Sequence, residues 1–315
     1  MKSLIETAID NGQKLYKQFN NPQVLSLLSN CELKWINKQK TSLEIVTNNL
    51  KDPNDLIDLF RLEVDMFKGK FIQAISGRGH EYKEIRRLHS SSLVALLCFY
   101  NVSALNPLEC SIETERVVFS ESLFEIQNPI PNSKKPSNID IVLKGKNIKS
   151  GRKVTLYLES KFSEYLKHGE KDKISTPVYK EIYRQLKKSL DSIDVSFDEY
   201  SDNYSKLKYQ NKQNTHYLEG VKQIISHYLG VHSVATQTRA TDEDIFLGEI
   251  LFRFCDEEID NNCEKIVDYI SVYEKMAEGL NKYCLNFRVV NSCFTYQDLF
   301  KSFNLDPAVR LFYSL

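Results

Sequence analysis

No stretch of this chain approaches the ~20 consecutive apolar residues needed to cross a bilayer, and its opening, MKSLIETAIDNGQ, is too polar for the core of an export signal. A membrane role is therefore unsupported, and the cytoplasm is the expected location. Cysteine is sparse: Cys31, Cys98, Cys110, Cys255, Cys263, Cys284 and Cys293 are scattered, odd in number, and never spaced as a CxxC pair. That spacing excludes a zinc ribbon and speaks against a disulfide framework, so reduced thiols are expected. The sequence has no GxxxxGK[ST] loop, no HExxH, and no Gly-x-Ser-x-Gly around Ser90, Ser91 and Ser92. NTPase, zinc-hydrolase and serine-hydrolase readings lose their support with those motifs. Net charge is absent as well, 42 Lys and Arg balancing 42 Asp and Glu, which excludes a uniformly basic surface.

The charge that is present is unevenly spread. Residues 131–190 hold 15 Lys and Arg against 6 Asp and Glu, whereas residues 241–280 hold 3 against 12. Opposed basic and acidic blocks suit a nucleic-acid binder, with a solvated surface as the plain alternative for any single run.

At 315 residues the chain can bury a full-sized core. Residues 1–75 read as a helical arm, with Asp52-Pro53 placed as a helix start. Residues 76–315 read as one α/β domain. A segment from Gly77 to about Tyr100 becomes increasingly apolar and reads as one core helix. Strand patterns follow at Arg116–Gln127, Ile139–Leu143 and Val154–Lys161, the last two joined by the polar linker KGKNIKSGRK. Helices are expected at about Pro177–Ser192 and His216–Leu229, the second capped by Gly230, with a polar loop, DEYSDNYSKLKYQNKQN, between them. Strands at IFLGEILFRF (245–254) and LNFRVV (285–290), separated by a helix over about 262–280, complete an alternation that implies a mixed sheet flanked by helices.

Acid-x-Lys occurs three times, at Glu32-Leu33-Lys34, Glu81-Tyr82-Lys83 and Glu159-Ser160-Lys161. Only the third ends a run that alternates as a strand does, so Glu159 and Lys161 project from one face beside each other. A symmetric hairpin would pair Leu143 with Val154 and Asp140 with Tyr157, making Asp140 a diagonal neighbour of Glu159, roughly 5–8 Å away between β-carbons. Two carboxylates so placed suit a divalent cation. Mg²⁺ or Mn²⁺ takes hard oxygen ligands, which Asp140, Glu159 and the Ser160 backbone carbonyl would supply. Lys161 would orient a water or stabilise charge building on phosphorus. The alternative is a strand-edge acid at Asp140 and a cross-strand ion pair of Glu159 with Lys161.

Asn138-Ile139-Asp140-Ile141-Val142-Leu143, a hairpin loop, and Tyr157-Leu158-Glu159-Ser160-Lys161-Phe162 resemble the paired-strand motif of the PD-(D/E)XK nuclease superfamily. HSSSLVALLCFYNV before it and Gly220-Val221-Lys222-Gln223-Ile224-Ile225-Ser226-His227 after it resemble bacterial restriction-endonuclease-like members, over about residues 77–300. The family proline is not adjacent, since Pro136 stands four positions before Asp140.

The resemblance implies a restriction-endonuclease-like α/β fold and Mg²⁺-dependent (or Mn²⁺-dependent) hydrolysis of DNA, in a restriction or defence setting. Pairing into a homodimer would allow both strands to be cut. It points to Glu81, and after it Glu84, as an acid that helps hold metal, against the plain alternative of a helix-surface acid. Gln223 and His227, spaced i, i+4 on one helix face, resemble a glutamine-plus-aromatic motif beside the active site, against the alternative of a satisfied polar pair. Lys144, Lys146, Lys149, Arg152 and Lys153 in the hairpin, with Lys222, are candidate DNA contacts. A non-catalytic nucleic-acid-binding module on this fold, and a nuclease for RNA or branched DNA, are the rivals.

Overall fold

A computed structural model describes residues 22–29, 32–35, 43–46, 52–76, 85–88, 90–162, 195–200, 204–211, 214–217, 221–238, 242–253, 260–283, 286–313 and 315. The chain is a mixed α/β fold built on one large curled sheet. Four strands run as an antiparallel meander: β3 (Leu108–Ile112), β4 (Glu115–Asn128), β5 (Ser137–Asn147) and β6 (Lys153–Lys161). Beside β6 lies β10 (Glu243–Leu251), parallel to it, and β10 in turn pairs in parallel with β11 (Arg288–Val289) and β12 (Phe294–Thr295). A parallel neighbour requires a crossover, and the chain between β6 and β10 supplies one that contains helix α5 (Val221–Thr238). Helix α6 (Asp260–Asn281) links β10 to β11.

The two faces of the sheet bury different cores. β6 is buried along nearly its whole length, as a central strand covered on both sides should be. On one side Ile139, Val142, Tyr157, Ile245 and Leu247 meet α5 through Ile224, Ile225 and Tyr228, and α6 through Tyr273 and Met276. On the other, Leu143, Leu156, Leu158 and Phe246 meet helix α4 (Ser91–Phe99), whose sequence SSLVALLCF is apolar almost all round and buried accordingly. Phe162, just past β6, packs on Phe252, just past β10, with ring centroids 4.6 Å apart, and both rings touch Tyr313 of helix α8 (Pro307–Tyr313). These aromatic contacts, each contributing about 0.5–1.5 kcal/mol beyond area burial, close the core under the ends of the two strands.

The amino-terminal arm is helical only in part. Helices α1 (Pro22–Ser29), α2 (Asn54–Phe60) and α3 (Val64–Ala74) are interrupted by a two-stranded antiparallel pair, β1 (Leu33–Trp35) with β2 (Leu43–Ile45). Leu33-Lys34-Trp35 is thus a strand, where the surroundings read as helix. The arm does not stand apart, since Val24, Leu28, Phe60 and Phe67 belong to the same core as Leu96, Val309 and Phe312. The Asp52 carboxylate accepts the Asn54 N–H at 3.0 Å, one residue beyond the expected helix start.

Three further expectations need correction. Helix α4 begins at Ser91, because residues 85–88 form turns in which Arg87 bridges to Glu44. The stretch read as a polar loop contains an antiparallel sheet of β7 (Val195–Tyr200), β8 (Tyr204–Asn211) and β9 (Asn214–Tyr217), so His216 lies on a strand. Its polar residues alternate with Phe197, Leu207 and Tyr209, a weak period of two that lysine and asparagine content obscured. Gly230 does not cap α5 but sits inside it. A β-carbon there would stand 2.7 Å from Ser137 Cβ and 3.0 Å from Asn128 Cβ, so the glycine lets the helix approach the ends of β4 and β5. Gly230→Ala is expected to lower stability by about 1–3 kcal/mol despite alanine's better helix propensity. A urea midpoint equal to that of the wild type would show that the helix can slide instead. The helix expected at 177–192 lies outside the described residues.

Candidate active site

Strand β6 presents Glu159 and Lys161, and the structure sets their neighbours. The ladder between β5 and β6 pairs Leu143 with Leu156, Val142 with Tyr157 and Ile141 with Leu158. This is two residues away from the symmetric closure, because the turn is confined to Asn147–Arg152. There the Asn147 side-chain oxygen accepts the N–H groups of Lys149 and Ser150, both at 2.9 Å, and Gly151 takes a φ of +69°. A shift of two preserves faces, so the one-residue slip that would have turned Asp140 away is avoided. The next step of the ladder would bring Asp140 opposite Glu159 instead of diagonal to it.

At that step the strands part. Ile141 and Leu143 belong to the core under α4, while Ile139 and Val142 belong to the core under α5, so the pleat slips at Asp140. Its neighbour on β4 is Glu125, which has a φ of +50° and falls between the paired residues Phe124 and Ile126. Freed from the regular pleat, the Asp140 carboxylate turns to β6, where its Oδ2 accepts the Ser160 N–H at 2.8 Å.

Glu159 and Lys161 are almost fully buried, at 3% and 6% exposure. Lys161 Nζ donates to Glu159 Oε1 at 2.7 Å and to Gln223 Oε1 at 2.7 Å, and Gln223 Nε2 donates to Glu159 Oε1 at 2.5 Å. One turn later on α5, His227 Nε2 lies 2.8 Å from Glu159 Oε2. The i, i+4 spacing of Gln223 and His227 thus brings both onto one carboxylate. Ser160, on the other face, bonds through its hydroxyl to the Ser91 carbonyl at 3.1 Å and to Tyr296 Oη at 2.8 Å, which ties β6 to α4 and to α7 (Tyr296–Leu299).

The two carboxyl groups are driven apart in acidity. Burial raises Asp140 well above the carboxylate range, and the charges of Glu159 and Glu125 add to it; Lys161 and the Ser160 N–H oppose this without offsetting it. Burial also disfavours ionised Glu159, but the Lys161 and His227 charges and hydrogen bonds outweigh it and bring the carboxyl down to about 2. Asp140 is therefore the carboxyl that keeps its proton to higher pH, and Glu159 the one that stays ionised.

Sequence reasoning missed a third acid. Glu249 on β10 stands beside Glu159 in the parallel register, is 2% exposed, and accepts the Tyr269 hydroxyl of α6 at 2.7 Å. A charged residue inside the apolar run FLGEIL was the available signal. Among the described residues, no group of three or more His, Cys, Asp or Glu is disposed to hold a metal ion.

Other expected residues fall elsewhere. Glu81 and Glu84 lie outside the described residues. Lys144, Lys146, Lys149, Arg152 and Lys153 are exposed, but they cluster at the hairpin end of β6. Six residue steps of extended chain, roughly 20 Å, lie between Lys153 and Glu159. Arg152 is engaged there by Asp244 through Nε and Nη2 at 3.0 and 2.9 Å. Lys222 immediately precedes Gln223 on α5. Cys98, Cys110 and Cys293 carry free thiols, and no helix among the described residues is long and apolar enough to cross a membrane.

Comparison with curated proteins and with solved structures returns no match. A protein-family model does match, over residues 34–249, a span that runs from β1 through the whole constellation to Glu249 and covers well over half of the chain. Two acids and a lysine where β5 and β6 diverge, braced from α5, thus occur within the matched span, and the chain belongs to the family described as restriction endonuclease associating with ARP.

Proposed function

We propose that this protein is a metal-dependent endonuclease that hydrolyses phosphodiester bonds in DNA, in a restriction or defence setting. The observation that carries the reading is the meeting of Asp140 with the Glu159–Lys161 pair at the point where β5 leaves β6. The family's description associates the endonuclease with ARP, and for this chain that association is part of the proposal.

The donor set fits Mg²⁺ or Mn²⁺. Asp140 and Glu159 oppose each other's charge, which a cation between them would relieve, and both offer hard oxygens. A carboxylate has about four lone-pair sites, and Glu159 uses two of them, both on Oε1, for Lys161 and Gln223, which leaves Oε2 without a hydrogen-bond donor among the described residues. Asp140, Glu159 and the Ser160 carbonyl would hold the ion, which would supply charge neutralisation at phosphorus and a more acidic water. Glu159 is aimed by its two donors at Oε1, with His227 Nε2 standing 2.8 Å from Oε2, and Gln223 bridges it to Lys161. The Lys161 ammonium, held between Glu159 and Gln223, would turn toward a phosphate oxygen as negative charge grows there.

A second reading is a nucleic-acid-binding module without cleavage. It draws on the absence of a three-member metal-ligating group among the described residues. Incubation of the purified chain with plasmid, linear, single-stranded and junction DNA, and with RNA, in Mg²⁺, Mn²⁺ or EDTA separates the two. Cleavage that needs Mg²⁺ or Mn²⁺ and disappears in Asp140→Ala and Lys161→Ala is expected. Cleavage that persists when both are replaced would rule out this site, and binding without cleavage under every metal would favour the module. A chain that cuts only RNA or only junctions would keep the site and change the substrate.

A further inference from the structure

We propose that Ser137 and His227 form a positioning relay that aims the Glu159 carboxylate, and that Gly230 sets the helix-to-sheet distance the relay needs. The claim that the relay serves a metal ligand rests on the nuclease reading. The relay's own geometry does not.

Ser137 opens β5, and its Oγ lies 2.7 Å from His227 Nδ1; the other ring nitrogen, Nε2, lies 2.8 Å from Glu159 Oε2. The three residues are 1%, 3% and 3% exposed, so their polar atoms face one another instead of water. A carboxylate with the Lys161 ammonium against it accepts hydrogen bonds and has none to give, which assigns the Nε2 proton to His227. Nδ1 then faces a hydroxyl, whose rotor adapts to it. The Ser137 hydroxyl thereby holds the ring at Nδ1 and keeps Nε2 in a 2.8 Å contact with Glu159 Oε2, an oxygen that no other donor reaches among the described residues. A slight turn of the ring completes the bond that would hold the acid in one orientation. Its burial keeps it from substrate, so its action is exerted through Glu159.

Gly230 lies one turn beyond His227 on the same side of α5. A β-carbon at Gly230 would come 2.7 Å from Ser137 Cβ and 3.3 Å from Ser137 Oγ. The absence of a side chain at 230 is what lets the helix sit close enough for the 2.7 Å contact between Ser137 and His227. No expectation from sequence linked the start of β5 to α5, because ninety positions separate Ser137 from His227.

Two amide replacements split the relay. His227→Gln can place an amide N–H near the former Nε2 and still donate to Glu159, whereas His227→Asn reaches only as far as Nδ1 and meets Ser137 alone. Calorimetric titration of the full chain with MnCl₂ is expected to show about tenfold or greater weakening in His227→Asn and in Ser137→Ala, with His227→Gln within about threefold of wild type. A packing role would move the two amides alike, so equal affinities for Gln and Asn, or a wild-type affinity in Ser137→Ala, would overturn the proposal. Side-chain ¹⁵N spectra of the metal-free protein give the second readout. They should show His227 protonated at Nε2, with the Nδ1 signal displaced in Ser137→Ala; a ring protonated on Nδ1 alone would refute the relay. Should the wild-type chain take up no Mn²⁺, the nuclease reading falls and the ring-nitrogen signals alone decide the relay.

Discussion

Glu159→Ala is expected to cost about 3–5 kcal/mol of folding stability even with no metal present, because it removes the nearest carboxylate from a lysine that is itself buried. Chemical denaturation in EDTA measures this directly. The companion variant Glu159→Leu with Lys161→Met should regain most of the loss, since two apolar side chains of similar volume replace a pair whose desolvation was already costly. A midpoint for Glu159→Ala equal to that of the wild type would mean that the ammonium finds equivalent solvation, and would remove the basis for treating Glu159 as the centre of the network. The same pair has a pH signature. Glu159 is more acidic when folded, at about 2 against an ordinary 4.5, so its contribution is fully present above the ordinary value and is lost as pH falls toward about 2. Stability in EDTA should therefore decline through that interval more steeply in the wild type than in the Leu/Met variant.

Metal affinity should rise with pH, and the second large effect lies there. Asp140 has a raised folded value, so in the metal-free protein it carries a proton well above the pH at which an ordinary aspartate has lost it. An ion held by both carboxylates must displace that proton. Below the raised value, each unit of pH should strengthen Mn²⁺ binding about tenfold, and above it the affinity should level off. Calorimetry in two buffers of different ionisation heat counts the released proton. Asp140→Asn should abolish the release and weaken binding. A pH-independent affinity in the wild type would mean that Asp140 takes no part in holding the ion.

The strands at the heart of the site were legible because their signal is local. The alternation from Val154 to Lys161 specifies which side chains share a face, and among three acid-x-Lys triplets it singles out Glu159-Ser160-Lys161. Opposite partners follow from the hairpin, and the actual register, two residues from symmetric closure, keeps the same faces. The i, i+4 pair Gln223 and His227 was likewise readable, although not that both side chains end on Glu159. Where local cues were misleading, the cause was specific. Gly230 looks like a cap because glycine commonly ends helices, yet here it is required by close approach to Ser137. The lysines and asparagines of residues 198–214 hid a pleat because polar side chains are also what loops carry.

Sequence alone determined the identity and the common face of the acid and the lysine on β6, since a period of two is imposed by the backbone of one strand. Tertiary structure decided what stands beside them. Glu249 reaches Glu159 only because β10 docks in parallel after a crossover, and Ser137 reaches His227 only because α5 lies close against the end of β5. The basic hairpin is separated from Glu159 by the length of β6 itself, although the two are adjacent in the chain. Lateral neighbours depend on the order of strands and on helix-to-sheet distance, which are set by packing the whole core and leave no periodic trace in any one segment.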